Sequence, residues 1–281
     1  MAITIINLDK QFKPFGDGHS ITNITFPSNI EQHINVNGID INNDILITCR
    51  IRNMNDFFIV LLCNNALKNI GCKNINLFIP YLPYSRQDRI CSGGDAFSLK
   101  VVANILNTQE FKKIFTFDVH SNVSTSLINN LINLDPYYML TCIIKYLPPD
   151  LILVAPDFGA IERVKHLAKK LNLHSIHCSK TRDPKNGALL NFSCNEDVKN
   201  KHLLIVDDIC SRGGTFIGLS DLLKQNGASS IHLYVSHYEG SATESLFKDS
   251  GIDIIFKSNS INDYHSDFVI NLPLFLKADI L

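Results

Sequence analysis

From Asn74 onward, short apolar runs alternate with longer amphipathic stretches. The apolar runs predict strands at Ile75–Pro80, Lys113–Phe117, Leu151–Ala155, Ser175–Cys178, Leu203–Val206, Ile231–Val235, Ile252–Phe256 and Phe268–Leu272. Helical periodicity falls between them at Ser98–Asn107, Ala160–Leu171 and Phe216–Asn226, the last stopped by Asn226-Gly227. Strand–helix–strand alternation over this distance predicts parallel sheets flanked by helices, an α/β fold. The first seventy residues read differently. Ala2–Leu8 and Ile45–Ile51 have strand character, with Asn- and Gly-containing turns between them, and Phe57–Asn69 reads as a helix.

FTFDVHS in the first half is echoed by LLIVDDICS in the second, each an apolar strand ending in acid. Two related α/β halves joined near 136–150 account for that echo. The expected domains are 1–140 and 141–281, with about the last ten residues returning to the N-terminal half.

Composition narrows the class. In 281 residues, 45% are hydrophobic and 19% charged, which suits a soluble protein with a sizeable core. A net charge of −1 gives no electrostatic footprint for nucleic acid or an acidic membrane. The longest apolar runs fall short of a membrane span, and the N-terminus carries no secretory signal pattern. Eight cysteines without any C-x-x-C are expected to be free thiols of a cytoplasmic protein, most of them buried.

In open parallel sheets, ligands bind beyond the carboxyl ends of the strands, so the polar residues after each apolar run hold the chemistry. The most informative stretch is LLIVDDICSRGGTF. An apolar strand delivers Asp207 and Asp208, and Ser211-Arg212-Gly213-Gly214-Thr215 leads into a helix. Glycines let backbone N–H groups approach an anion, the helix N-terminus adds its dipole, and the paired carboxylates can accept from vicinal sugar hydroxyls. A Gly-Gly turn with two solvated acids is the plainer alternative.

This segment resembles the phosphoribosyl-binding loop of type I phosphoribosyltransferases and PRPP synthetases, usually Asp-Asp-x-x-Asp-Thr-Gly-Gly-Thr. Four further segments favour the synthetases. IPYLPYSRQDRI is similar to their Pro-Tyr-x-x-Tyr-Ala-Arg-Gln-Asp-Arg, and FTFDVHS to their Asp-x-His-Ser/Ala. VAPDFGAIERV is similar to Pro-Asp-x-Gly-x-x-x-Arg, and SKTRD to the Lys-x-Arg core of their flexible catalytic loop. The matches keep family order over roughly residues 25–240.

The resemblance implies two tandem type I phosphoribosyltransferase-like domains and diphosphate transfer from ATP to the anomeric hydroxyl of ribose 5-phosphate. It places Arg86 and Gln87 in an ATP site, with Phe26 and Glu31 reaching a neighbouring subunit's adenine. Arg89 adds a cation beside them. His120 and Asp157 become the Mg²⁺ partners, and Asp118 orients its neighbours. Lys180 and Arg182 stabilise the transferring phosphates from a mobile loop following a strand, as the Pro and Gly of TRDPKNGA imply. Asp207, Asp208 and the loop Ser211–Thr215 take the ribose phosphate. A homo-oligomer, dimer to hexamer, is implied as well. No general base is visible, and the absence of G-x-x-x-x-G-K-[ST] argues against a P-loop kinase.

Four departures mark a divergent branch. Ser211-Arg212 stands where the family has Asp-Thr. FPSNIEQHI matches Phe-x-Asp-Gly-Glu only loosely, VSHYEGSATE replaces Thr-His-Gly-x-Phe-Ser-Gly, and little chain follows VINLPLFL. The altered loop also resembles synthetase-like proteins that use ADP-ribose as acceptor in NAD salvage. A non-catalytic synthetase-associated subunit is the reading from another class; such relatives have damaged catalytic loops, while Lys180 and Arg182 are both present.

Overall fold

The computed structural model describes residues 2–28, 30–182, 189–240 and 243–274, with the backbone alone at 180–182 and 189–192. The chain forms two compact units that divide between Leu134 and Asp135, and Leu274 groups with the first. The expected return of the last residues to the N-terminal half lies, beyond Leu274, outside the described residues.

The first unit runs β1 (Ile3–Asn7), β2 (Thr22–Thr25), β3 (Gln32–Asn35), β4 (Asp44–Thr48), α1 (Met54–Asn69), β5 (Ile75–Phe78), α2 (Ser98–Thr108), β6 (Lys113–Phe117), α3 (Val123–Leu127) and β7 (Leu131–Leu134). Its main sheet has the order β1-β4-β5-β6-β7, every pair parallel, and β2 and β3 form a separate antiparallel hairpin. Apolar residues on these strands and on one face of α1 and α2 form one core, centred on residues such as Ile45, Ile47, Leu77, Val60 and Leu106.

The second unit runs α4 (Tyr137–Ile143), β8 (Leu151–Ala155), α5 (Ile161–Leu171), β9 (His174–Arg182), β10 (Leu189–Cys194), β11 (His202–Cys210), α6 (Gly214–Gln225), β12 (Ser230–Tyr238), α7 (Glu244–Asp249), β13 (Ile254–Ser258) and β14 (Val269–Leu272). The sheet order is β10-β9-β8-β11-β12-β13-β14, parallel except where β10 pairs antiparallel with β9. Strands buried on both faces, such as β8, explain the unbroken apolar runs in the sequence. No helix among the described residues is long and apolar enough to cross a membrane.

Four expectations are corrected. Helix α1 begins at Met54 rather than Phe57, because Asn53 and Asp56 form a capping box: the Asn53 side chain accepts from the Asp56 N–H at 3.1 Å, and the Asp56 carboxylate accepts from the Asn53 N–H at 3.3 Å. Strand β11 continues through Cys210, so Asp207 and Asp208 lie within it; an equally long β12 pairs with it to Tyr238. Lys180 and Arg182 lie within β9 rather than after a strand, because β10 supplies a partner ladder. The expected loop beyond them falls on residues 183–188, outside the described residues.

The fourth correction concerns the cysteines. Cys178 and Cys194 form a disulfide, whereas the sequence implied free thiols throughout. They are directly opposed across the β9–β10 ladder, an adjacency that a separation of 16 residues conceals. The other six are free, four of them buried. Burial pushes the Cys63 and Cys210 thiols up to about 12, which makes them inert at neutral pH.

Candidate active site

In the second unit, β8 ends on Ala155, and the chain turns at Pro156 into Asp157. The Asp157 carboxylate accepts from the Ala160 N–H at 3.3 Å and caps a short 3-10 turn, Phe158–Ala160. Helix α5 follows and places Arg163 on its first turn, where its Nη1 lies 3.0 Å from Asp208 Oδ1 and 3.3 Å from Asp207 Oδ1. The Asp208 N–H also donates to Asp207 Oδ1 at 2.9 Å. Two adjacent carboxylates at a strand end are thereby held by one guanidinium.

Asp208 is buried, and the Asp207 side chain is only 16% exposed. Burial, reinforced by the Asp208 charge and opposed by Arg163, pushes the Asp207 carboxyl well above the usual range. Folded Asp207 therefore holds its proton to higher pH than the unfolded chain does, so it lowers stability as pH rises above the ordinary 3.8. Asp207→Asn is expected to melt above the wild type at pH 7.5 in ligand-free protein, with the gap closing as pH approaches 4. A variant that melts lower at pH 7.5, or a pH-independent gap, contradicts this.

Beyond Cys210 the chain passes Ser211 and the exposed Arg212, then turns at Gly213, whose φ of +75° is a conformation that L side chains rarely adopt. The Gly213 carbonyl accepts from the Phe216 and Ile217 N–H groups at 2.9 and 3.0 Å and starts α6. As N-cap, Gly213 brings no side chain of its own to this helix start, and a Cβ on Gly214 would meet nothing within 4 Å, so space is open there for an anion.

In the first unit, Arg86, Gln87, Arg89 and His120 line one cavity of about 500 Å³, together with Asp88 and Cys91. Strand β6 ends at Phe117, and Asp118, at φ +45°, turns the chain so that His120 reaches this cavity. Gln87 Oε1 accepts from the Ser98 hydroxyl at 2.6 Å, which ties the loop to the start of α2. Asp88 is buried and organises the cluster: it accepts from Arg89 Nε at 2.8 Å and from the Ser121 hydroxyl at 2.6 Å. The Arg89 hydrogen bond is the largest influence on Asp88 and holds its carboxyl below the usual range. Phe26 and Glu31 are not among the residues lining this cavity; they face each other at the turn end of the β2–β3 hairpin, where the Phe26 N–H donates to the Glu31 carbonyl at 2.9 Å.

Arg163, Asp88 and Ser121 are the residues that sequence reasoning missed. Each lies inside a quoted motif, yet its role depends on a partner 33 to 45 residues away. A signal for Arg163 was present: an arginine on the first turn of a helix that follows the strand neighbouring the acidic one.

The model for the N-terminal domain of ribose phosphate pyrophosphokinase matches residues 22–109, and the model for the phosphoribosyl transferase domain matches residues 147–268. A ribose-phosphate pyrophosphokinase of Pyrococcus furiosus is 31% identical over 224 residues, covering 77% of this chain and 78% of that one. The chain belongs to the ribose-phosphate pyrophosphokinase family. A second member, from Saccharolobus solfataricus, is 26% identical over 275 residues, covering 96% of this chain and 89% of the relative. The crystal structure of a phosphoribosylpyrophosphate synthetase from Mycobacterium smegmatis shares the fold, with a TM-score of 0.80 at 20% identity over 98% of this chain and 95% of that one. Both units are therefore the mixed α/β domains of this family, with mostly parallel sheets, as the strand–helix pattern implied.

Proposed function

We propose that this protein is an ATP-dependent diphosphotransferase that converts ATP and ribose 5-phosphate into AMP and PRPP. The observation that carries the reading is the end of β11, where Arg163 holds Asp207 and Asp208 beside the Gly213 turn that opens α6. Two acceptor oxygens sets next to an anion-accepting helix start suit a sugar with vicinal hydroxyls and a phosphate. The anomeric hydroxyl oxygen attacks the β-phosphorus of ATP. A new O–P bond forms, the bond from the β-phosphorus to the α-bridging oxygen breaks, and AMP leaves while the hydroxyl proton passes to solvent.

Arg86, Gln87 and His120 bind the nucleotide phosphates and base from the cavity of the first unit. Lys180 and Arg182, carried on β9, supply positive charge to the transferring diphosphate. Among the described residues no cluster of three or more His, Cys, Asp or Glu is close enough to hold a metal ion by protein groups alone. The exposed His120 in the first unit and the half-buried Asp157 in the second are each of a donor type that would meet Mg²⁺ directly or through its waters. Such an ion would supply charge neutralisation for the phosphate oxygens. The β2–β3 hairpin leaves Ile24, Phe26 and Ile30 at 51%, 46% and 81% exposure, which supports a homo-oligomer that covers them. A cytoplasmic setting supplies both substrates.

The change to Ser211 and the exposed Arg212, where the family has an acid and a threonine, favours a second acceptor, ADP-ribose, whose phosphate carries a further substituent. Equimolar ribose 5-phosphate and ADP-ribose incubated with Mg²⁺-ATP, followed by mass spectrometry, separate the two. PRPP with AMP supports the first reading. ADP-ribose diphosphate with little PRPP replaces it by the second, and no AMP under any condition sinks both.

A further inference from the structure

Strand β9 has two kinds of support along its length. From His174 to His177 it pairs with β8 inside the sheet. From Cys178 to Arg182 the partner recorded among the described residues is β10, an edge strand that itself pairs only with β9 there. The segment bearing Lys180 and Arg182 thus lies in a two-stranded ribbon that extends past β8, with β10 close to α6; strand pairing of this kind is of marginal stability by itself. Its register is not fully regular either, since it shifts between Leu189 and Asn191.

The Cys178–Cys194 disulfide closes this ribbon at the point where it leaves the sheet. Cys178 is 1% exposed and packs in the core of the second unit, while Cys194 is half-buried at its edge. Their Cα atoms are 4.2 Å apart, the spacing of an antiparallel pair that exchanges no backbone hydrogen bonds. Beyond the disulfide, the next pair is joined by a hydrogen bond between the Ser179 and Ser193 hydroxyls at 2.8 Å. Only Ser179 separates Cys178 from Lys180, so the bond fixes the register of the cationic segment. Partial exposure of Cys194 gives a reductant a sulfur to attack.

We propose that Cys178 and Cys194 form a reversible dithiol–disulfide site that sets the turnover of this enzyme by holding the β9–β10 ribbon in register. The inference rests on the diphosphotransfer reading for its effect on rate, though not for the chemistry of the site. In oxidation, the Cys194 thiolate attacks a small disulfide such as glutathione disulfide and releases one thiolate. The Cys178 thiolate then attacks Cys194 Sγ in the mixed disulfide and releases the second. The two cysteines are oxidised by two electrons, the small disulfide is reduced to two thiols, and the two cysteine protons end on those thiols. Reduction runs the same steps backwards. The ribbon then loses its covalent closure, and the backbone bearing Lys180 and Arg182 sits on an edge ladder more prone to fray.

The test uses full-length protein in two states, reduced with dithiothreitol and oxidised with glutathione disulfide, with thiols counted by alkylation and mass spectrometry. The oxidised form is expected to exceed the reduced form in kcat by about tenfold, the scale on which small misplacements act, with KM little changed. Amide exchange at 179–182 and 190–194 should rise on reduction. Cys194→Ser should match the reduced wild type in both states, while Cys142→Ser, which removes a partly exposed free thiol on α4, should keep the wild-type ratio. Two free thiols at 178 and 194 after oxidation overturn the proposal. So does an equal kcat in two verified states, or a rate ratio that survives in Cys194→Ser. No AMP in either state sinks the diphosphotransfer reading instead, and the exchange data then decide: unchanged protection between states overturns the redox site, and a rise on reduction supports it.

Discussion

Asp9→Ala is expected to cost about 3–5 kcal/mol of unfolding free energy, the usual result of stripping one partner from a buried ion pair. Arg50 is 1% exposed and ranks among the largest fully buried side chains of the chain. Its Nε lies 2.6 Å from Asp9 Oδ2, and its guanidinium sits 5.3 Å from the centre of the Phe12 ring. Arginine does not shed its proton in a protein, so without Asp9 a buried charge loses this ionic partner. Asp9 Oδ1 also accepts from the Gln11 N–H at 3.0 Å, a turn contact that alanine removes. The half-exposed Arg52, 3.9 Å from the same carboxylate, turns to solvent at little cost. Asp9→Leu combined with Arg50→Met should recover most of the loss, because the desolvation of both charges disappears with the pair. The check is the urea midpoint of the transition followed by circular dichroism. A single-variant loss under about 1 kcal/mol would put the pair on the scale of solvated surface bridges and refute its buried character.

Lys180→Ala should lower kcat by about 10²–10³-fold, the range found when one charge-stabilising donor is removed from a transition state. The reason is where charge grows during diphosphate transfer. The β- and γ-phosphate oxygens and the departing AMP gain negative charge as the β-phosphorus changes partners, and the proposed role of Lys180 is to meet that charge with its own. If Lys180 acts in that way, KM for ATP and for the acceptor should stay within about threefold, since ground-state binding is spread over other groups. Lys180→Arg should retain part of the rate by keeping the charge while altering its reach. Initial rates of AMP release give the answer. A loss confined to KM would make Lys180 a binding residue, and a loss under about threefold would remove it from the mechanism.

The elements themselves were largely legible. Strands β6 and β8 match the apolar runs residue for residue, and α2, α5 and α6 lie within two residues of their periodic segments. Local signals carry this information: a buried parallel strand is an apolar run, and an amphipathic helix repeats its apolar positions within a turn or two. Strands β2, β3, β7 and β10 were not legible. β2 and β3 are mostly solvent-facing and polar, so their sequences carry little apolar pattern, whereas β7 and β10 do contain apolar residues but are short strands at sheet edges, too brief for periodicity to single out.

The site divides in the same way. The order of acid pair, Gly-Gly turn and helix is a chain-local arrangement, so the sequence by itself determined the layout of this segment and to which family the chain belongs. Tertiary structure alone decided which groups face one another. Arg163 reaches across 44 and 45 residues to hold Asp207 and Asp208, Ser121 crosses 33 to meet Asp88, Arg50 crosses 41 to bury the Asp9 charge, and Cys178 meets Cys194. The physical reason is that periodicity and turn chemistry act over about ten residues, whereas these pairings follow from strand order and register, which are fixed by packing the whole sheet.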